Sequence, residues 1–342
     1  MLNFLLHEVN SESWGGPIDV SILLPPEYDA VGEPYPLIIQ LHGGGGNRHH
    51  LGMMAPIYEH MFNDGTLRPC IVASLSGGAT NYIGLEEFVA LEFPNWVAKN
   101  YNFQTDVSEV CMTGVSMGGF GTLHVGLRYP EKFCAIAPME PGIEPSFTPG
   151  PAGRRSTWWR ADTSLVTESN EGEGVDMSFV EHSPARSVRD HADAIRRSGL
   201  HIYIEVGDED YTNLHDGAEF LHRVLWDNDI PHEYHLVRWA DHVGPSLLWR
   251  TIEAHRFIEG ALGGGRSDDR SLEVPEEMMA KVVDAVMDVE YTHTKPDDRT
   301  LNDIFSSAYG ASAHALMYAE MRATAEGDPD LKRHYGKLPS TE

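Results

Sequence analysis

Short apolar runs alternate with longer segments of helical periodicity through residues 1–262. Six runs have the length of strands and lack polar alternation: residues 18–24, 37–41, 70–75, 110–113, 133–137 and 201–206. Strands of that kind are typical of a parallel sheet whose two faces are covered by helices. Five segments between them have the pattern of helices: residues 84–100, 117–128, 187–198, 212–227 and 246–259. This alternation predicts a doubly wound α/β fold.

Two stretches break the alternation. Residues 140–184 hold several prolines and glycines and an acidic patch at 168–173. So long a connection in a compact fold is either disordered or a functional lid. Beyond a glycine-rich joint at 263–265, the apolar positions follow helical periodicity. We therefore expect a body of residues 1–262 with a lid-like insertion at 140–184, followed by a C-terminal helical extension at 263–342. We expect the extension to pack on the body; covering a pocket or forming a homodimer are the alternatives.

The charge balance narrows the possible partners. The 342 residues include 25 Lys and Arg against 52 Asp and Glu, a net charge of −27 at pH 7. Because a chain this acidic repels phosphate groups, neither nucleic acid nor an anionic membrane surface is an expected partner. No apolar run has the length of a membrane span, and the N-terminus lacks the basic residues of a secretory signal. The 3 cysteines lie in or beside apolar runs, as reduced core thiols do, which predicts a cytoplasmic location.

Residues 114–118 have the sequence GVSMG and match the pattern G-x-S-x-G. The motif directly follows the strand-like run at 110–113 and overlaps the start of the helical segment at 117–128. A serine on such a strand-to-helix turn is a nucleophile elbow, in which glycines leave room for a sharply bent chain. A glycine-rich helix start with a capping serine is the alternative. The place of the motif between strand and helix favours Ser116 as a nucleophile.

A serine hydroxyl needs a base, which is expected from a histidine on a loop after a late strand. His242 fits best, because it follows the strand-like residues 232–237 and precedes the last helical segment of the body. Most of the other histidines lie in helical segments or long loops, where a surface role is the simpler interpretation.

A carboxylate is then expected to orient the imidazole and stabilise its charged form. The turn after the run at 201–206 contains both Asp208 and Asp210. We favour Asp210, because a residue three past the glycine of this turn can point back toward the strand ends. The chain order Ser116, Asp210, His242 is that of nucleophile, acid and base in α/β-hydrolases.

Donors for the negative oxygen of such a reaction are expected at two places. One is the backbone N–H of Met117, directly after the nucleophile. The other is the loop after the run at 37–41, with the sequence HGGGGN, where glycines let main-chain N–H groups reach a substrate oxygen. We favour Gly43 and Gly44 there. A phosphate loop is the rival interpretation, but no Gly-Lys-Ser/Thr sequence follows.

Metal chemistry is the weaker interpretation of the histidines near that loop. His42, His49 and His50 cluster in the sequence, but the chain has neither a His-Glu-x-x-His helix nor a Cys-x-x-Cys pair. We predict no metal and no cofactor.

Four segments together resemble the putative-esterase family of α/β-hydrolases, which includes the esterase D (S-formylglutathione hydrolase), feruloyl esterase and tributyrin esterase types. They are LHGGGGN at 41–47, GVSMGGFGT at 114–122 with RYPEKF at 128–133, GDED at 207–210 and ADHVGP at 240–245. The resemblance covers approximately residues 15–262. It implies an α/β-hydrolase fold and cofactor-independent cleavage of a carboxylic ester through an acyl-enzyme. Its triad and oxyanion residues would be Ser116, Asp210, His242, Met117 and the Gly43 region.

The chain departs from the family pattern where substrate would be recognised. The usual aromatic residue just after the base is replaced by Val243-Gly244, and the Arg/Trp-rich stretch at 154–160 has no counterpart. Two tryptophans there suit an apolar or aromatic group, and three arginines suit a carboxylate. The alternative is that the arginines balance the charges of Asp162 and Glu168. The candidate substrate contacts are His42, Arg154, Arg155, Trp158, Trp159 and Arg160.

Several activities fit these residues. The leading hypothesis is a serine hydrolase acting on a small-molecule carboxylic ester or a related acyl substrate. The same triad serves thioesterases, peptidases and carbon–carbon bond hydrolases, and an acyltransferase would use an alcohol in place of water. A binding module on a hydrolase scaffold is a further alternative, but such a module has no need of all three triad residues.

Overall fold

The computed structural model describes residues 2–103, 106–143 and 181–262. These residues form an eight-stranded sheet with helices packed on both faces. The strands in chain order are β1 (Asn3–Ser11), β2 (Gly16–Leu24), β3 (Leu37–Leu41), β4 (Ile71–Leu75), β5 (Val110–Val115), β6 (Ala135–Met139), β7 (His201–Gly207) and β8 (Glu233–Val237). The helices are α1 (His50–Asp64), α2 (Phe93–Asn100), α3 (Met117–Arg128), α4 (Pro184–Ser198), α5 (Leu214–Asp227) and α6 (Ser246–Ala261).

The strands lie in the order β1-β2-β4-β3-β5-β6-β7-β8. From β4 to β8 neighbouring strands are parallel. Strand β2 is antiparallel to both of its neighbours, β1 and β4. The predicted doubly wound and mostly parallel sheet is confirmed, with an antiparallel edge of two strands added to it.

Successive side chains of the strands are buried alternately in two separate apolar cores. On β3, Leu37 and Ile39 belong to the core that also contains Leu123 of α3, whereas Ile38 belongs to the core that contains Leu51 of α1. Successive side chains of a strand point to opposite faces, so the two cores lie on opposite sides of the sheet. Because both faces are covered, the inner strands need apolar residues at every position, which explains their lack of polar alternation.

Two elements were not predicted. Strand β1 lies at the edge of the sheet and is only partly buried, so its sequence carries a weak apolar signal. Helix α1 contains Gly52 and Pro56, residues that disfavour helix on local grounds. Its buried Ile57, Tyr58 and Met61 pack against the sheet, and this tertiary packing outweighs the local preference.

The predicted helix at 84–100 is divided. A π-helical turn at Phe88–Glu92 leads into α2, and the N–H of Phe93 donates to the carbonyl of Phe88. Pro94 has no N–H to continue the α-helical pattern, which accounts for the wider turn directly before it.

Much of the predicted insertion and all of the predicted C-terminal extension lie outside the described residues, at 144–180 and 263–342. The division of the chain into a body and an extension therefore stays a prediction. Within the described ranges, no helix is both long enough and apolar enough to cross a membrane.

The parallel strands bring five loops to one edge of the sheet. The carboxyl ends of β3, β5, β6, β7 and β8 all lie at this edge, because these strands run in the same direction. In open α/β sheets this is the edge at which ligands bind. The loops that follow these five strands carry the residues of the candidate site.

Candidate active site

Ser116 lies on the turn between β5 and α3 with φ 58° and ψ −116°. A positive φ is strained for a residue with a Cβ. The turn also leaves no room for side chains at the flanking positions of the motif. A Cβ on Gly114 would lie 2.5 Å from the carbonyl oxygen of Gly118, and a Cβ on Gly118 would collide with the carbonyl of Leu41. The G-x-S-x-G pattern is thus the pattern that this tight turn requires.

The imidazole of His242 lies beside this serine, with Nε2 3.0 Å from Oγ of Ser116. His242 is on the loop between β8 and α6, and its side chain is buried. The ring of Tyr211 contacts it edge-on, with 5.6 Å between ring centroids. At 3.0 Å the serine hydroxyl can donate to Nε2, which is the arrangement a general base needs.

The other ring nitrogen of His242 faces Asp210, with Nδ1 3.3 Å from Oδ2. The second carboxylate oxygen of Asp210 accepts two hydrogen bonds from Thr212, at 2.6 Å from the backbone nitrogen and 2.5 Å from Oγ1. Asp208, the alternative acid, is turned elsewhere: its carboxylate accepts the backbone N–H of Trp239 at 2.6 Å. The structure therefore brings Ser116, His242 and Asp210 together, and leaves Asp208 to hold the chain after β8.

The charges of this pair shift both pKa values. Burial alone would raise the pKa of Asp210, but the imidazolium of His242 and its hydrogen bond outweigh burial and bring the pKa below the ordinary 3.8. Burial alone would lower the pKa of His242, but the charge of Asp210 outweighs it and raises the pKa above 6.5. Each group thus stabilises the charged form of the other.

The glycine loop after β3 lies against the elbow. A Cβ on Gly43 would be 3.6 Å from Cβ of Ser116, whereas a Cβ on Gly44 would meet open space. The carbonyl of Gly43 accepts hydrogen bonds from His42 Nδ1 at 2.7 Å and from the N–H of Gly46 at 3.1 Å. These bonds fix the Gly43–Gly44 peptide beside Ser116. The N–H of Met117 belongs to the first turn of α3, where backbone donors lack partners within the helix.

His42 is a candidate substrate contact whose position favours a different role. The ring is buried, Nδ1 donates to the carbonyl of Gly43, and Nε2 accepts the backbone N–H of Gly77 at 2.9 Å. Burial lowers the pKa of His42 to about 4, so the ring is neutral near pH 7. With both nitrogens bonded to the main chain, His42 joins the glycine loop to the segment after β4, and it has no ring nitrogen left for substrate.

A further acidic side chain, Glu140, was not singled out in the sequence. It follows β6 directly, has φ 47° and is fully buried. Its Oε1 accepts the N–H of Gly207 at 2.9 Å and forms an ion pair with Arg250. Its Oε2 is 3.9 Å from Nδ1 of His242 and has no hydrogen-bond partner among the described residues. A charged residue at the carboxyl end of an apolar parallel strand is the signal that could have found it.

Arg250 of α6 holds several of these groups at once. Its side chain has no exposed surface; Nη1 contacts Glu140 and lies 2.9 Å from Oε1 of Glu205 on β7. Its Nη2 donates to the carbonyl of Asp241 at 2.7 Å, one residue before His242. A single guanidinium therefore connects α6, the ends of β6 and β7, and the loop that carries the imidazole.

Comparison with known proteins identifies the family of this chain. The family model described as Putative esterase matches residues 11–243, more than half of the chain. The chain belongs to the putative-esterase family. The match confirms the resemblance that the sequence motifs predict, and it includes Ser116, Asp210 and His242.

Curated relatives of this esterase-family chain match it over shorter segments. Over 141 residues it is 31% identical to an endo-1,4-beta-xylanase/feruloyl esterase of Xylanibacter ruminicola, a match that covers 36% of this chain and 19% of that protein. Over 106 residues it is 29% identical to the S-formylglutathione hydrolase of Rattus norvegicus, which covers 29% of this chain and 36% of that protein. The aligned part is therefore well under half of either relative.

The solved structures of an esterase and of a serine hydrolase match the fold over most of their length. A ferulic acid esterase superposes with a TM-score of 0.58 at 17% identity, covering 75% of this chain and 99% of that chain. FphF, a fluorophosphonate-binding serine hydrolase of Staphylococcus aureus, gives 0.56 at 17% identity, covering 78% of this chain and 99% of that chain. These similarities show that this member of the family has the α/β-hydrolase fold.

Five of the predicted substrate contacts belong to the part of the insertion that the structure does not describe. Arg154, Arg155, Trp158, Trp159 and Arg160 lie outside the described residues, so their role stays a prediction.

Among the described residues, two groups of side chains bring possible metal-ligand atoms within 4.8 Å of one another. One is Glu140, Asp210 and His242, the site described above. The other consists of Glu86, His124 and His182, in which His124 Nε2 is 2.6 Å from Glu86 and Nδ1 is 3.0 Å from the carbonyl oxygen of His182. The spacing from His124 to both neighbours is that of hydrogen bonds. The histidines that cluster in the sequence near the glycine loop belong to neither group.

Proposed function

We propose that this chain is a serine hydrolase that cleaves carboxylic esters through an acyl-enzyme. Ser116 is the nucleophile, His242 the general base and acid, and Asp210 the carboxylate that orients the ring. The observation that carries the proposal is the 3.0 Å separation of Ser116 Oγ from His242 Nε2, with Asp210 on the opposite side of the ring. Membership of the putative-esterase family supports the same chemistry.

In the first half of the reaction, Oγ of Ser116 attacks the ester carbonyl carbon while Nε2 of His242 takes the hydroxyl proton. Asp210 stabilises the imidazolium that forms. The negative carbonyl oxygen is met by the N–H of Met117 and by the main chain at Gly43 and Gly44, each donor contributing about 3–4 kcal/mol. The carbon–oxygen bond to the alcohol then breaks, and the imidazolium gives its proton to the leaving alkoxide.

In the second half, water takes the place of the alcohol. His242 removes a proton from the water, whose oxygen attacks the acyl carbon, and the bond to Ser116 breaks as the imidazolium returns the proton to Oγ. The acid is released and the serine is regenerated. No cofactor enters any step of this proposal.

For the substrate, we propose a small ester whose acyl part is aromatic or carries a carboxylate, on the strength of the Arg/Trp-rich stretch at 154–160. The similarity to a feruloyl esterase favours the aromatic acyl group. Thioester cleavage is the second candidate, favoured by the similarity to an S-formylglutathione hydrolase. A panel of aliphatic esters, methyl ferulate and a glutathione thioester would rank these substrates by kcat/KM.

The proposal is tested by labelling with a fluorophosphonate probe, which bonds covalently to an activated serine. We expect labelling of the wild type and of Ser13→Ala, which removes an exposed serine, and no labelling of Ser116→Ala. For any ester that the wild type hydrolyses, Ser116→Ala should lower kcat on the order of 10⁴–10⁶-fold. Labelling that survives Ser116→Ala would show that the nucleophile is a different residue.

A further inference from the structure

The Nδ1 side of His242 faces two buried carboxylates. Asp210 Oδ2 lies 3.3 Å from Nδ1, and Glu140 Oε2 lies 3.9 Å from it. Neither carboxylate has any exposed side-chain surface. A charge-assisted hydrogen bond is usually about 2.7–2.9 Å long, so the ring is not drawn tightly against Asp210 alone.

In each of the two carboxylates, one oxygen is fixed by hydrogen bonds or an ion pair. One oxygen of Asp210 accepts both hydrogen bonds of Thr212, and one oxygen of Glu140 accepts the N–H of Gly207 and contacts Arg250. The second oxygen of each carboxylate, Oδ2 of Asp210 and Oε2 of Glu140, is directed toward the imidazole. Oε2 of Glu140 is buried without a hydrogen-bond partner among the described residues, an arrangement that costs folding free energy.

We propose that Glu140 is a positioning residue of the reaction, acting on His242 from beside Asp210. Its free oxygen limits rotation of the ring and supplies a second negative charge for the imidazolium that forms when Ser116 releases its proton. The inference rests on the proposed function, because it assigns Glu140 to the same imidazole. The proposed function then involves two carboxylates beside the imidazole. Glu140 lies at the end of β6, and Asp210 lies after the end of β7.

The charged groups around the ring support this role. Asp210 and Glu140 face Nδ1, and Asp241 accepts the backbone N–H of His242 at 2.6 Å. Arg250 and Glu205 lie behind Glu140 as an ion pair. Burial and the charge of Asp210 raise the pKa of Glu140 to about 8, but the ion pair with Arg250 and the N–H of Gly207 favour its carboxylate form. The charge of that form helps to raise the pKa of His242.

The first test compares the pH dependence of kcat/KM for p-nitrophenyl acetate in the wild type and in Glu140→Gln. The variant keeps the shape of the side chain but loses its charge, so the pH at which His242 becomes unprotonated should fall by about one unit. The matched control is Glu205→Gln, which removes a buried carboxylate from the same Arg250 at a position that does not face Nδ1. We expect this control to lower thermal stability without moving the profile.

An unchanged pH midpoint in folded Glu140→Gln would overturn the proposal, since a purely structural role changes stability and leaves the titration of His242 in place. An equal shift in Glu205→Gln would also overturn it, because the effect would then be that of any buried charge near Arg250.

The second test is a double-mutant cycle with Asp210→Asn. If Glu140 also acts on the ring, Asp210→Asn retains part of the activity, and adding Glu140→Gln lowers kcat further, on the order of tenfold. If Glu140 does not act on His242, the second substitution leaves kcat of Asp210→Asn unchanged, which contradicts the proposal.

Where Glu140→Gln does not fold, Glu140→Asp takes its place in the pH measurement. It keeps the charge but withdraws it by one carbon, so a smaller shift in the same direction is expected, and no shift is the contrary result.

Ser116→Ala separates this inference from the proposed function. If Ser116→Ala retains activity and labelling, the proposed function fails whatever Glu140 does. If Ser116→Ala is inactive while Glu140→Gln keeps the wild-type profile, only the role of Glu140 fails.

Discussion

Arg250 and Glu205 form an ion pair in which neither side chain has any exposed surface, with Nη1 2.9 Å from Oε1. The same guanidinium also pairs with Glu140. Removing one partner of a buried ion pair leaves the other charge without compensation, which costs far more than the loss of an exposed pair. We therefore expect folding to depend on Arg250 more than on the other residues of this cluster.

We expect Arg250→Met to lower the free energy of unfolding by about 3–5 kcal/mol, because two buried carboxylates lose their cation. Urea denaturation followed by circular dichroism would measure this. Arg223→Ala is the matched control, since it breaks a solvent-exposed pair with Asp227 of 2.9 Å and should cost no more than about 1 kcal/mol. Equal losses in the two variants would contradict the dominant role of Arg250.

The pH dependence of the reaction should follow the protonation of His242. Only the unprotonated ring accepts the proton of Ser116, and the charge of Asp210 raises the ring pKa above 6.5 despite burial. In the wild type, kcat/KM should therefore rise with pH with a midpoint above 6.5. In Asp210→Asn the midpoint should move to lower pH while kcat falls on the order of 10³–10⁴-fold. A wild-type midpoint below 6.5 would show that Asp210 does not control this ring.

Replacing glycine by alanine should have opposite effects on stability at Gly118, in the tightly packed turn of Ser116, and at Gly260, in helix α6. Gly118→Ala forces a Cβ into the backbone of Leu41 and should destabilise the fold by at least about 2 kcal/mol and reduce labelling of Ser116. Gly260→Ala, at a helical position of α6 with no atom within 4 Å of the new Cβ, should stabilise it by about 0.5 kcal/mol. Thermal denaturation of both variants would check this, and a neutral Gly118→Ala would contradict the packing argument.

Acid stability should depend on Glu86, a residue that is not part of the proposed triad. Burial would raise the pKa of Glu86, but the hydrogen bond from His124 outweighs it and lowers the pKa to about 2. A lowered carboxylate pKa stabilises the fold above its ordinary value of 4.5, and this contribution is lost as the pH falls toward 2. Glu86→Gln should therefore be less stable at pH 7 and lose less stability between pH 5 and pH 2.

Denaturation in urea at several pH values would measure that difference. Glu131→Gln, at an exposed position, is the control and should follow the wild-type pH dependence. If Glu86→Gln also follows it, the pair with His124 does not contribute to acid stability.

The parts of the molecule that the sequence predicts well are those decided by local sterics or continuous burial. The turn that carries Ser116 is one, because the clash that excludes side chains at Gly114 and Gly118 arises within a few residues of Ser116. The run at 37–41 is another, since β3 occupies the same residues and is buried throughout. Such features follow from neighbouring residues alone.

The parts that could not be predicted depend on contacts between distant segments. Glu140 and Arg250 are 110 residues apart in the chain, and only the convergence of β6 and α6 gives this carboxylate its cation. The direction of the His42 ring likewise depends on Gly77, a residue beyond the next helix. In both cases the local sequence shows the residue type but not what it contacts.

The backbone of Ser116, held at φ 58°, stores strain that the folded protein must carry at all times. Glycine at this position would relax the turn but remove the hydroxyl on which the proposed reaction depends. Relief of the strain and the proposed catalysis therefore place opposite demands on position 116. A more thermostable variant that keeps the proposed activity therefore needs its stabilising substitutions at positions other than 116.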